Sequence, residues 1–280
     1  MTPRLNAALL AALLLVGLPT YWFLLDSGPH GASPKPVALA RLRLLAQAEP
    51  DERPITIRAE QIGRRHVVGD FLAAGSGLLP VPYTIWAYEI VYADGSVVTV
   101  DRGMNRSASE EQGIEDHDPF AQSRVEHADR AARAWVVLNL HPEHDGVRSV
   151  ALSPGSPARR KILERGAPYR LTPGVVVVPT PGAAEGSRML YVELKDGSRY
   201  LFGGDVVPMA VSWKQGKLPA RAAMLFSGGD RAQSASYLNT VRAWKMADPQ
   251  LRIVPGHDPQ LPSGIGRGFL TAGAIRDVPK

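Results

Sequence analysis

The sequence predicts an α/β domain made of two similar halves, in which sheets pack together with helices outside, behind an apolar N-terminal segment. Three observations predict it. An uncharged apolar run extends from Asn6 to Leu25. Two strand-dominated stretches follow, each with a hairpin signal, Asp94-Gly95 in the first and Asp196-Gly197 in the second. Each stretch then gives way to a helical segment and a further strand, the pattern of sheets covered by helices.

The apolar run NAALLAALLLVGLPTYWFLL follows Arg4 and precedes Asp26. About 20 apolar residues span a bilayer as a helix. Tyr21 and Trp22 suit its interface, and the positive N-terminal flank leaves the rest of the chain outside the cytoplasm. An uncleaved anchor, a cleaved signal peptide and a buried helix all fit. The lack of a small-x-small site after Leu25 and the length of the run favour the anchor. Residues 1–27 are thus the anchor or signal sequence, and the globular part is expected periplasmic or extracellular, secreted if the N-terminus is cleaved.

SGPHGASPKP, Ser27–Pro36, is rich in Gly, Pro and Ser and reads as a linker. VALARLRLLAQAE has apolar positions at helical spacing, so residues 28–54 read as linker plus a short helix that packs on the domain or continues the stalk. A single domain is expected over residues 55–280. ITIRAEQI alternates as a strand does, and YTIWAYEIVYADGSVVTVDRG contains two β-rich runs around its Asp-Gly turn. A helical segment over roughly 120–134 leads into the strand AWVVLNL. The second half repeats the pattern with GVVVVPTPG, MLYVELKDGSRYLFGGD, a helix over about 231–247 and the strand LRIVPGHD.

Composition narrows the chemistry. The net charge of +5 comes from 32 Lys and Arg scattered among 27 Asp and Glu. Arg159-Arg160-Lys161 is the densest basic cluster and reads as a solvated helix face, so no nucleic-acid partner is expected. With no cysteine, any metal must be held by imidazole and carboxylate. Such residues gather at the ends of predicted strands: His141, Glu143 and His144 after WVVLNL, Asp205 after YLFGG, His257 after RIVPG. Loops at strand ends present side chains from a rigid scaffold, so the convergence suggests one site. Each also has a plain reading: Asp205 as a turn or cap residue, His257 bonded to a carbonyl, and TPGAAEG as a turn between strands.

NLHPEH at Asn139–His144, TPGAAEG at Thr180–Gly186, GGD ending at Asp205 and PGHD at Pro255–Asp258 occur in an order that resembles the metallo-β-lactamase-fold hydrolases. VVTVDRG, ending at Gly103, looks like that family's strand leading to D-x-G. The resemblance covers roughly Ile55 to Leu261 and implies a four-layer αββα sandwich of two similar halves. Family members commonly hold two metals, the first through H-x-H and T-P-G-H. Those positions are here Asn139, His141 and Ala183, which removes two of three nitrogen ligands. The second-site positions fall on Glu143, His144, Asp205 and His257, with Glu in place of the usual Asp and therefore about 1.5 Å longer in reach. Glu185 and Asp145 are candidate substitutes for missing ligands.

The resemblance implies a membrane-tethered hydrolase with one divalent metal, zinc or alternatively iron or manganese, acting through activated water on a small-molecule ester, lactone, amide or phosphoester. Glu143 would be a ligand or general base, and His141 a donor to the substrate oxyanion. The alternative is a non-catalytic binding module on the same scaffold without bound metal. An iron-dependent redox member is a third reading. Protein partners are not legible in the sequence.

Overall fold

A computed structural model describes residues 2–28, 31–147, 153, 155–164 and 166–269. Pro29 and His30, in the stretch read as a linker, and the last residues of the expected domain, 270–280, lie outside the described residues.

Among the described residues, ten strands form two five-stranded sheets. The first has the order β10-β1-β2-β3-β4, from β1 (Pro54–Val68), β2 (Pro80–Tyr92), β3 (Val97–Val100), β4 (Ala134–Val136) and β10 (Ile265–Arg267). The second runs β5 to β9 in order: β5 (Tyr169–Thr172), β6 (Val175–Pro179), β7 (Arg188–Glu193), β8 (Arg199–Phe202) and β9 (Arg252–Val254). Both expected hairpins are present: β2 pairs antiparallel with β3 across Asp94-Gly95, and β7 with β8 across Asp196-Gly197.

Among the described residues, ten α-helices accompany the strands: α1 (Pro3–Leu25), widened to a π-helix over Tyr21–Leu25, α2 (Leu39–Ala46), α3 (Gly69–Leu72), α4 (Arg106–Glu111), α5 (Pro119–Ala131), α6 (Pro142–Asp145), α7 (Pro157–Glu164), α8 (Ala210–Gln215), α9 (Arg221–Ser227) and α10 (Arg231–Ala247). α5 begins where Asp118 accepts from the amides of Phe120 and Ala121, with Pro119 pre-set in its first turn. α10 begins likewise at Asp230, which accepts from Ala232 and Gln233.

The sheets face each other across a core that takes Ile57, Tyr88, Val98 and Val136 from the first and Val177, Leu190, Phe202 and Val254 from the second. The outer face of the first sheet, through Ile62, Ile85 and Ala87, is covered by Ala121 and Val125 of α5. That of the second, through Val176, Tyr191 and Leu201, is covered by Leu39 and Leu42 of α2 and by Leu238, Val241 and Trp244 of α10. β6, VVVVP, is buried at every position, as a β-branched run must be when both its faces are covered.

The short helix α2 therefore packs on the domain. Leu42 and Ala46 are fully buried, and burial of a leucine side chain contributes roughly 1.5–3 kcal/mol. The segment before it is also bound to the domain: Asn239 donates to the carbonyl of Ala32, Trp244 to that of Val37, and Thr240 accepts from the Lys35 amide. AWVVLNL is shorter as a strand than its apolar length suggests, because only Ala134–Val136 finds a partner in β3.

Two parallel pairings place the site. β3 beside β4 aligns Val100 with Val136, so Asp101 and Leu138 leave the first sheet together. β8 beside β9 aligns Phe202 with Val254, so the chain leads to Asp205 and His257 at one end of the second sheet. The two ends are stitched across the sandwich: the Thr84 amide donates to the His257 carbonyl at 2.9 Å, and the Arg188 amide to the Leu138 carbonyl at 2.9 Å. Glycine in PGHD is required by this approach, since a Cβ on Gly256 would come within 2.8 Å of the Gly204 carbonyl oxygen.

Candidate metal centre

His144 lies in α6 and is 1% exposed; His257 follows β9 and is equally buried. Their Nε2 atoms each stand 3.1 Å from Oδ1 of Asp205. The three donor atoms lie within 4.8 Å of one another. The other nitrogen of each ring is held by an acceptor: Nδ1 of His144 is 2.8 Å from Oδ2 of Asp101, and Nδ1 of His257 is 3.2 Å from the Thr84 carbonyl oxygen. An acceptor at Nδ1 holds a proton there and aims Nε2 into the cluster; loss of the Nε2 proton would leave a lone pair facing the centre, the arrangement characteristic of metal-ligating histidine.

Asp101 occupies this position at a conformational cost. Its φ of +59° is the single positive value among described non-glycine residues. The left-handed region costs an L-residue roughly 1–2 kcal/mol, although Asp tolerates it better than most. Its two oxygens repay the geometry, since Oδ1 accepts from the Leu138 amide at 2.7 Å while Oδ2 orients His144. Two residues on, Gly103 has φ +66°, and a Cβ there would fall 2.2 Å from Oε1 of Gln122. The D-x-G stretch is thus a turn that aims a carboxylate at a histidine.

The electrostatics favour a cation. Burial alone would lower the His144 pKa, yet the carboxylates of Asp101 and Asp205 hold it well above the usual imidazole range. Burial would raise Asp205, but His144 and His257 hold it well below the usual carboxylate range. The residues also fit a divalent metal by donor type: two imidazoles and one carboxylate, each pair of Nε2 and Oδ1 separated by a distance close to the ~3.3 Å edge of a tetrahedron with ~2.0–2.1 Å bonds.

Glu143, expected as a fourth ligand, stands outside the cluster of His144, Asp205 and His257 in this structure. Its Oε1 pairs with the guanidinium of Arg65, and its Oε2 accepts from the Tyr83 hydroxyl at 2.9 Å. The extra methylene of Glu carries the carboxylate to those two partners. Arg65 and Tyr83 are themselves cross-strand neighbours on β1 and β2. The Tyr83 ring stacks on His257 with centroids 4.0 Å apart, and the Arg65 guanidinium lies 4.9 Å from the Tyr83 ring centroid. Burial pushes the Tyr83 phenol well above its usual pKa, and the charges of Glu143 and Asp205 add to the shift, so the hydroxyl keeps its proton.

The first-metal positions are arranged differently. Asn139 is fully buried; its Nδ2 donates to Oδ2 of Asp205, and its Oδ1 accepts from the His141 amide at 3.1 Å. Ala183 and the His141 ring line one cavity of about 370 Å³ together with Arg65, Tyr83, Glu143 and Asp205. The candidate substitutes are engaged elsewhere: Glu185 pairs with Arg159, and Asp145 faces Arg102 at 3.7 Å. His117 bonds the Met104 carbonyl at 2.8 Å.

Sequence reasoning therefore missed four contributors: Asp101, the Thr84 carbonyl, Arg65 and Tyr83. D-x-G was a visible signal for Asp101. The others carry none, because only the β1–β2 register brings them to the site.

No protein-family model matches the chain, and no curated protein sequence matches it significantly. Solved structures do. An N-acyl homoserine lactone hydrolase with the product N-hexanoyl-L-homoserine at its catalytic metal centre is 16% identical, with a TM-score of 0.59 over 74% of this chain and 94% of that one. A Bacillus thuringiensis variant with N-decanoyl-L-homoserine at its active site is 18% identical, with a TM-score of 0.56 over the same shares. A "probable metal-dependent hydrolase" from Staphylococcus aureus is 11% identical, with a TM-score of 0.57 over 79% and 99%. The two covered sheets, the order of the strand-end motifs and these likenesses agree: the chain has the metallo-β-lactamase fold.

Proposed function

We propose that the chain is a membrane-tethered hydrolase that uses one divalent metal, held by His144, Asp205 and His257, on an ester, lactone, amide or phosphoester. The observation that carries this reading is the convergence of two Nε2 atoms on Oδ1 of Asp205, with both Nδ1 atoms committed to acceptors. Three protein ligands leave a coordination position open, the mark of catalytic rather than structural sites. A metal bound there supplies water activated near neutral pH and polarises the substrate oxygen. Zinc suits the donor set, and two histidines with one carboxylate also accept iron or manganese.

The remaining roles belong to residues of the cavity. Asp101 orients His144. Arg65 presents a guanidinium to the cavity, a donor suited to an anionic oxygen, while Glu143 positions it through one oxygen and is itself held by the Tyr83 hydroxyl at the other. The His141 ring, free of a complete first site, is a second donor to the developing oxyanion. The neighbours with N-acyl homoserine products in the corresponding fold support the carboxylic-ester end of the substrate range. The tether is α1: 23 residues long, apolar enough to cross a membrane, and with no residue buried in the domain. Arg4 in its first turn orients the domain outside the cytoplasm.

The test is metal content and hydrolysis for the detergent-purified full chain beside its His144→Ala, His257→Ala double variant. The expected result is about one equivalent in the parent and none in the variant, with ester or lactone hydrolysis lost in step. Equal metal in both, or none in either, contradicts the reading and favours the non-catalytic module.

A further inference from the structure

The tether and the cavity share the same walls. The last turn of α1 packs against α3 and α9. The Leu24 carbonyl accepts from the Gly75 amide at 3.3 Å, and the Ser27 carbonyl from the Leu218 amide at 3.2 Å. Asp26, directly after the helix, is 7% exposed; it pairs with Arg221 at 2.6 Å, and its carbonyl accepts from Arg231. The Arg221 guanidinium lies 3.8 Å from the Trp22 ring centroid. No slack separates the helix from the domain at this point.

The clamping elements also build the cavity above the candidate metal centre. Phe71 and Leu72 of α3, Leu218 and Pro219, and Met224 of α9 line it together with the polar group of Arg65, Tyr83 and Asp205. α9 and the loop that joins α3 to β2 expose large apolar side chains: Leu225 is 72% exposed, and in the loop Leu78 is 65% and Leu79 80% exposed, with the Leu79 carbonyl accepting from the Gly69 amide of α3 at 3.1 Å. If α1 spans a bilayer, elements packed on its final turn lie at the depth of the headgroup layer, which adds roughly 5–8 Å on each side of a ~30 Å hydrocarbon core. Leucines exposed there meet lipid rather than water.

We infer that the rim formed by Leu78, Leu79 and Leu225 rests in the headgroup layer of the bilayer that α1 spans, and that the site acts on an amphiphile drawn from that leaflet. This rests on the hydrolase and membrane readings above and deepens them. The chain of such a substrate lies along Phe71, Leu72, Leu218 and Met224, and its polar head, with the scissile bond, reaches Arg65, Tyr83 and the metal ligands.

The absence of native cysteine makes single-cysteine labelling unambiguous. The full chain in phosphatidylcholine nanodiscs, labelled with a fluorophore at Leu79→Cys or Leu225→Cys, is compared with Ala93→Cys in the β2–β3 turn. β2 holds 13 residues, so that turn lies roughly 40 Å from Leu79. Doxyl lipids are expected to quench the two rim labels at least threefold more than the Ala93→Cys label; equal quenching overturns the membrane contact. In a second arm, the Leu79→Asp, Leu225→Asp variant is expected to lose at least tenfold of its turnover on 4-nitrophenyl palmitate carried in the nanodisc while keeping its turnover on water-soluble 4-nitrophenyl acetate. Equal effects on the two esters overturn the leaflet route. A parent chain that cleaves neither ester overturns the hydrolase reading and the substrate assignment with it, while the quenching still decides where the rim lies.

Discussion

The two sides of Asp205 differ in kind. Oδ1 faces the Nε2 atoms of His144 and His257, whereas Oδ2 accepts the amide of Asn139. On the first side the neighbours can offer lone pairs to a cation. On the second, an N–H already supplies the positive end that a cation would otherwise provide, and the position of a third ligand is the methyl group of Ala183. The comparison teaches that one carboxylate can offer one oxygen to a pair of imidazoles while a hydrogen bond occupies the other.

The largest break in that comparison comes from the open side. Replacing His257 with Ala is expected to remove the metal and to lower kcat/KM on the order of 10³-fold or more, since the metal contributes several kcal/mol to such reactions; metal analysis and ester kinetics check it. Asp101→Asn leaves the ligands intact but weakens the acceptor that fixes His144. A drop of ~10–100-fold in metal affinity is expected, measured by competition with a chelator, and no change would show that Asp101 serves the fold alone.

Asn139→Ala probes the closed side. It strips a buried donor from Oδ2 and is expected to cost about 1–3 kcal/mol of stability in thermal unfolding, with metal stoichiometry unchanged. The Asn139→His, Ala183→His pair sharpens the contrast further, because a second metal equivalent should appear if the amide and the methyl group are what close that side. The smallest effect lies at the tether. Burial works to raise the Asp26 pKa, but the hydrogen bond and charge of Arg221 leave it lowered, so its stabilising contribution is present above the unfolded carboxylate value near ~3.9 and fades as pH falls below it. The difference in Tm between the chain and Arg221→Gln should therefore shrink as the pH is taken below about 4.

How much of this was legible depended on whether the signal was local. Asp94-Gly95 and Asp196-Gly197 announce their hairpins because two residues decide the turn. α10 begins and ends close to its apolar periodicity, with Asp230 as its cap. His144, Asp205 and His257 could be placed in one site because each follows a predicted strand. The partners of Glu143 could not, since Arg65 and Tyr83 meet only through the pairing of a 15-residue strand with its neighbour, and a shift of one residue would turn them to the opposite face. The segment before α2 shows the same limit: a Gly-Pro-Ser composition describes a chain without its own core, and the contacts of Ala32, Lys35 and Val37 with α10 are set by tertiary packing.

The central claim is that a metal is held on one side of Asp205 by two imidazoles. X-ray absorption at the metal edge, on the full chain loaded with one equivalent of zinc, tests it most directly. The account predicts two imidazole ligands completed by oxygen donors, remaining two in His141→Ala, with no bound zinc left to observe in His257→Ala. Three imidazoles in the parent, or a loss on His141→Ala, would place the metal on the side that Asn139 is argued to close.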